Sequence, residues 1–112
     1  MQSISRKYLV TAFALAIAAL VSVSAFGAAA DGAATFKAKC AMCHGQDATG
    51  NTPMGKNLKI RDLTSADVQK QTDAEITDVI SKGKNKMPEY GTKLTKEQIA
   101  DLQLFVRTLA KK

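Results

Sequence analysis

Cys40-Ala41-Met42-Cys43-His44 is the stretch on which the reading of this 112-residue chain turns. Residues at i, i+3 and i+4 share one face of a helical turn, so the two thiols and the imidazole project together. C-x-x-C-H is the pattern that attaches haem c: both thiols reach vinyl groups along one porphyrin edge, and the imidazole meets the iron. An imidazole is a good iron ligand, and its second ring nitrogen is free to donate to a backbone carbonyl that fixes the ring.

Other uses of paired cysteines account for less of the sequence. A thiol–disulfide redox motif wants a preceding strand and a βαβ unit, and neither pattern is present. A structural zinc site needs four ligands, but the chain holds two Cys and one His. A disulfide between Cys40 and Cys43 suits an exported protein, yet it leaves His44 without a role and supplies no core.

Upstream of the motif, Met1 to Lys7 carries Arg6 and Lys7 with no acid. Residues 8–26 are almost wholly apolar, and Ala28-Ala29-Ala30 precedes Asp31. This is the pattern of a secretory signal peptide over residues 1–30, with residues 31–112 as the single folded domain. The apolar run is longer than the usual core of such a signal, so an uncleaved anchor is the alternative, since a span needs about 20 residues. No Cys stands near the cleavage point to take a lipid.

Removing 30 of 112 residues leaves 82, a length at which a protein core stabilises only marginally and a staple or cofactor is commonly needed. Without Arg6 and Lys7 the 16 basic residues fall to 14 against 10 acidic ones, a net charge of +4. That bias is mild. No basic stripe interleaved with aromatics is present, so nucleic acid is excluded as a partner, while docking to acidic proteins stays open.

The remaining periodicity is helical throughout, which predicts an all-α domain. A first helix is expected from near Asp31 or Gly32, with Phe36 on one face, running into Cys40 and ending around Gly45. The polar, glycine-bearing stretch 45–57 reads as turns, followed by a short helical turn capped by Thr64 or Ser65. Thr72-Asp73-Ala74-Glu75 is a capping box ahead of Ile76, Val79 and Ile80, with Gly83 as the stop. Thr95-Lys96-Glu97-Gln98 is another, opening a last helix in which Ile99, Leu102, Phe105, Val106 and Leu109 recur at helical spacing.

A low-spin haem needs a sixth ligand, and without a second His the choice falls on methionine. Met1 goes with the signal, and Met42 lies inside the attachment loop on the wrong side of the ring. Met87, followed by Pro88 in a loop between two helices, has enough intervening chain to wrap the porphyrin. Met54 is the remaining candidate.

Together these residues resemble the small class I c-type cytochromes over the whole of residues 31–112. Gly32 and Phe36 match the family's first-helix contacts, and Leu102 and Phe105 match their partners on the terminal helix. Lys86-Met87-Pro88 matches its sixth-ligand motif. The resemblance implies a small cytochrome c fold, about four short helices around one covalently bound haem, with Gly32 allowing the first and last helices to approach. One departure stands out: where many members carry Gly-Pro-x-Leu, this chain reads Gly55-Lys56-Asn57-Leu58. The carbonyl of Lys56 or Pro53 is then the expected acceptor from His44. Arg61 is a candidate partner for a haem propionate, against the plainer reading of a solvated surface residue. The chain has no Trp to make such a bond.

With Cys40 and Cys43 on the porphyrin and His44 and Met87 on the iron, no coordination position is open for a substrate. The expected function is therefore one-electron carriage between redox partner proteins in a respiratory or photosynthetic chain, not catalysis. Lys37, Lys39, Lys82, Lys84 and Lys86 are the candidates for steering an acidic partner to the haem edge. A gas-binding or catalytic haem would require Met87 to be off the iron, and a tethered subunit would require residues 8–26 to persist as an anchor. The expected setting is the periplasm, or a thylakoid lumen, with the protein a monomer that meets membranes only through partner complexes or that anchor. The apo-chain is expected to be largely unfolded.

Overall fold

In the computed structural model, which describes residues 27–111, the two capping boxes form as expected. The Thr72 hydroxyl accepts from the Glu75 amide at 3.2 Å, while the Glu75 carboxylate accepts from the Thr72 amide at 2.7 Å. Two of the amide donors orphaned at the helix start are satisfied in one exchange. Thr95 and Gln98 repeat the exchange at 3.1 and 2.9 Å.

Among the described residues six helical segments follow in chain order. They are α1 (27–39), α2 (Ala41–His44), α3 (Pro53–Asn57), α4 (Ala66–Gln69), α5 (Asp73–Lys82) and α6 (Lys96–Thr108). No strand occurs among the described residues, only an isolated bridge between Lys84 and Met87. The all-α class is as expected, and the larger number of segments comes from short turns fixed by single side chains. Thr52 caps α3 with Pro53 in its first turn, and Ser65 caps α4. Thr64 does not cap α4, because its amide and hydroxyl are both taken by the Asp62 carboxylate, at 2.8 and 2.6 Å.

Helix α1 differs from its expected start near Asp31 or Gly32: it is already helical at residue 27. Ala28, Ala29 and Ala30 explain this, since alanine has the highest intrinsic helix propensity. Residues 1–26, with most of the expected signal segment and its apolar run, lie outside the described residues. Among the described residues no helix is long and apolar enough to cross a membrane.

The first and last helices cross at Gly32. A β-carbon there would lie 2.1 Å from the Asp101 carbonyl oxygen and 2.9 Å from the Phe105 β-carbon, so no other residue fits. One turn on, the Phe36 and Phe105 rings meet with centroids 5.2 Å apart at 50°, a tilted geometry that aromatic quadrupoles favour. Phe36, Ile76, Ile80, Ile99, Leu102 and Val106 form the buried core with Ala48.

A polar clamp joins the α4–α5 elbow to α6. The Arg107 guanidinium donates to the Asp73 carboxylate at 2.7 Å, to the Gln69 carbonyl at 2.7 Å and to the Gln71 carbonyl. Gln103, buried, donates to the same Asp73 oxygen, and the Gln69 amide donates to the carbonyls of Leu63 and Val106.

Candidate functional site

Helix α2 continues the path of α1 past Cys40. The Cys40 amide donates to the Phe36 carbonyl, and the His44 amide to the Cys40 carbonyl, both at 2.9 Å. One turn therefore carries both thiols and the imidazole, as the spacing predicts. The next segment grips that turn from behind. The Thr52 hydroxyl donates to the Cys43 carbonyl at 2.8 Å, and the Gly50 amide to the His44 carbonyl at 2.7 Å. Gly55 is buried in the contact: a β-carbon there would lie 2.1 Å from the Gly50 carbonyl oxygen and 2.7 Å from that of Cys43.

Met87 reaches the site from the loop between α5 and α6. Gly83 ends α5 at φ 73°, a left-handed conformation that favours glycine. The chain then doubles back: the Lys84 amide donates to the Met87 carbonyl at 3.2 Å and the Met87 amide to the Lys84 carbonyl at 2.9 Å. A β-carbon on Gly83 would lie 2.5 Å from the Met87 carbonyl oxygen, so the glycine is what lets the loop fold this tightly.

Between these two supports opens a cleft of about 290 Å³, lined by Cys40, Cys43, His44, Arg61 and Met87 together with a mainly apolar floor that includes Phe36, Ile76, Ile80 and Leu102. All five residues singled out from the sequence converge on it. Met42 and Met54 do not line it and are exposed, at 80% and 43%. Both cysteines are free and half-buried. Burial, with Cys43 alongside, pushes the Cys40 thiol up to about 11. Burial lowers the pKa of His44, which favours the neutral imidazole with a lone pair available to a metal. Among the described residues no group of three or more His, Cys, Asp and Glu converges on a metal position.

One expectation is not met. The Nδ1 atom of His44 is buried and has no hydrogen-bond partner among the described residues. The Lys56 carbonyl named for it instead accepts from the Leu58 and Lys59 amides as the chain leaves α3, and Pro53 supplies no bond either. A buried imidazole with one orphaned nitrogen, two free thiols, a thioether and an apolar cleft form a donor set that suits haem c.

The charged residues on the cleft are all cationic: Lys39, Lys59, Arg61, Lys84 and Lys86. Of the expected docking lysines, Lys37 and Lys82 lie off it. Lys82 pairs with Asp78 one helical turn back at 3.2 Å. Lys59 was not expected there. Tyr90 is also on the cleft, and its hydroxyl donates to the Lys39 carbonyl at 3.2 Å. Nothing in the local sequence signals that bond, whereas the Thr52-Pro53 pair did carry a helix-start signal for α3.

Comparisons with known proteins bear on the whole chain. A family model described as cytochrome C oxidase, cbb3-type, subunit III matches residues 27–106. Cytochrome c6 of Thermosynechococcus vestitus is 39% identical, over 96% of this chain and 96% of the relative. Cytochrome c6 of Porphyra purpurea is 37% identical, over 93% and 92%. The solved structure of the KustC0563 c-type cytochrome superposes with a TM-score of 0.65 at 34% identity, covering 71% of this chain and 98% of that one.

Proposed function

The chain belongs to the class I c-type cytochromes, and from that membership we propose that Cys40 and Cys43 form its two thioether links while His44 and Met87 are its axial ligands. The family carries one covalent haem c and serves electron transfer, so this chain is a one-electron carrier between redox partners and not an enzyme. A bound haem c supplies the ferric/ferrous couple. The chain's own residues decide how it is held and at what potential it works.

The observation that carries the residue assignment is the convergence of Cys40, Cys43, His44 and Met87 on one mainly apolar cleft. His44 offers a neutral nitrogen. Met87 offers a soft, uncharged sulfur that favours ferrous iron, and the apolar floor disfavours the additional charge of the ferric state, so both raise the reduction potential. With His44 and Met87 holding the iron, no position would be left for a substrate, and electrons would leave through the rim of the cleft. There Lys39, Lys59, Lys84 and Lys86 give an acidic partner a surface of one sign. Arg61 stands on the same rim, where its guanidinium suits a propionate.

Residues 1–30 act as an export signal, residues 31–112 are the working domain, and the carrier operates as a monomer in the periplasm or in a thylakoid lumen.

Oxidised and reduced absorption spectra of the protein purified from an exporting host test the ligand assignment. The ferric form should show the weak far-red band of iron bound by methionine sulfur, and Met87→Ala should abolish it. A high-spin ferric spectrum in the parent protein would remove Met87 from the iron and reopen gas binding.

A further inference from the structure

The loop that carries Met87 is fastened almost entirely to its own helix. Its Lys84–Met87 pairing is internal, and further along the Tyr90 amide donates to the Ile80 carbonyl at 3.1 Å and the Gly91 amide to that of Ser81 at 2.9 Å. Each of these bonds ends on α5 or within the loop. The thiols and the imidazole belong to α1–α2, on the other wall of the cleft. Among the described residues one hydrogen bond crosses between the two walls at the loop: the Tyr90 hydroxyl to the Lys39 carbonyl, immediately before Cys40.

We propose that this bond is a latch, and that Tyr90 is a positioning residue which holds the Met87 loop closed against the Cys40 side of the cleft. The proposal rests on the reading of Met87 as an axial ligand. Tyr90 is partly buried and packs against the same core that Met87 and Cys40 pack against. Lys93 places its ammonium 5.5 Å from the ring centroid on the outer side. Its hydroxyl makes the hydrogen bond to the other wall. For the sulfur of Met87 to leave the iron, the loop must swing away from α1, and Tyr90 moves with it. Breaking that one bond is then a step of opening, while the bonds to α5 travel with the loop and stay intact.

The test is the displacement of Met87 from the ferric holoprotein by imidazole. If the loop must open first, the observed rate saturates at high imidazole, and the plateau is the opening rate. Tyr90→Phe keeps the ring and removes the hydroxyl, so the plateau should rise about 2- to 10-fold, the effect of one neutral hydrogen bond. The imidazole-free spectrum should still be that of methionine-bound iron. Arg107→Ala, which loosens the clamp on α6 without touching the loop, should lower the denaturation midpoint yet leave the plateau unchanged. An unchanged plateau in Tyr90→Phe overturns the latch while Met87 remains the ligand. The same rise in Arg107→Ala also overturns it, because general loosening would then suffice. A parent protein with no plateau and no methionine band removes Met87 from the iron, and the latch with it.

Discussion

Gly32 lies so close to the backbone of Asp101 that a β-carbon would sit 2.1 Å from its carbonyl oxygen. The neighbour is helix backbone rather than a flexible side chain, so α1 and α6 would have to separate. Gly32→Ala should therefore destabilise the haem-loaded protein by about 1–3 kcal/mol, seen as a lower urea midpoint. An unchanged midpoint would mean that the crossing of these two helices contributes little.

Gly83 is under a similar constraint, with a different consequence. Its φ of 73° and the 2.5 Å from its hypothetical β-carbon to the Met87 carbonyl oxygen place any side chain inside the Met87 turn. Gly83→Ala should weaken the methionine band of the ferric spectrum and speed capture of imidazole, while haem remains covalently attached. Retention of the full band would show that the turn can rearrange around the added carbon.

The apolar floor of the cleft predicts what happens without the cofactor. Phe36, Ile76, Ile80, Leu102 and Val106 all line the cleft as well as forming the core, so an empty cleft exposes the core itself. A Cys40→Ala, Cys43→Ala double variant prepared without haem should show little of the native helical circular dichroism. Full native helicity in that variant would overturn this expectation.

How much of this was legible in the sequence depends on the range of the interaction. The capping boxes at Thr72 and Thr95, the stop at Gly83 and the C-x-x-C-H turn are written within a few consecutive residues, and each forms as read. Gly32, Phe36, Leu102 and Phe105 are far apart in sequence. Spacing alone marks Phe36 and Phe105 as ordinary core, and the family resemblance is what pairs the four across two helices. The Arg107 clamp and the Tyr90–Lys39 bond join residues 34 or more apart, and no local pattern encodes such pairings. The acceptor expected for His44 fails for the converse reason: the family motif points to the Lys56 carbonyl, but the end of α3 uses it locally.

Arg107 itself should be costly to remove. Its guanidinium serves the Asp73 carboxylate and two carbonyls of the α4–α5 elbow, and it is only 28% exposed. Arg107→Ala should lower stability by about 1–3 kcal/mol, mostly through carbonyls left unpaired, because the ion pair to the largely exposed Asp73 is screened by water. Chemical denaturation at high and low salt separates the two: a loss that persists at high salt belongs to the carbonyls.

Acid should weaken the fold through specific carboxylates. The Thr72 amide holds Glu75 below its usual pKa, the Thr49 amide does so for Asp47, and the Thr64 hydroxyl for Asp62. A carboxylate depressed in the folded state contributes stability above its unfolded value, about 4, and loses it as pH falls through the lower folded value. Melting temperature should thus drop between about pH 5 and pH 3, and the drop should be shallower in Glu75→Gln, which keeps the acceptor oxygen of the cap without the titration. An equally steep drop in that variant would assign the acid sensitivity elsewhere.

The crossing at Gly32 also bears on how the chain assembles. Its two halves sit near opposite ends of the described residues, so joining them closes a long loop whose entropy is lost before the contact returns anything. Such distant pairings raise the contact order of an otherwise locally wound helical chain, and the seam between α1 and α6 is therefore where its folding rate is set.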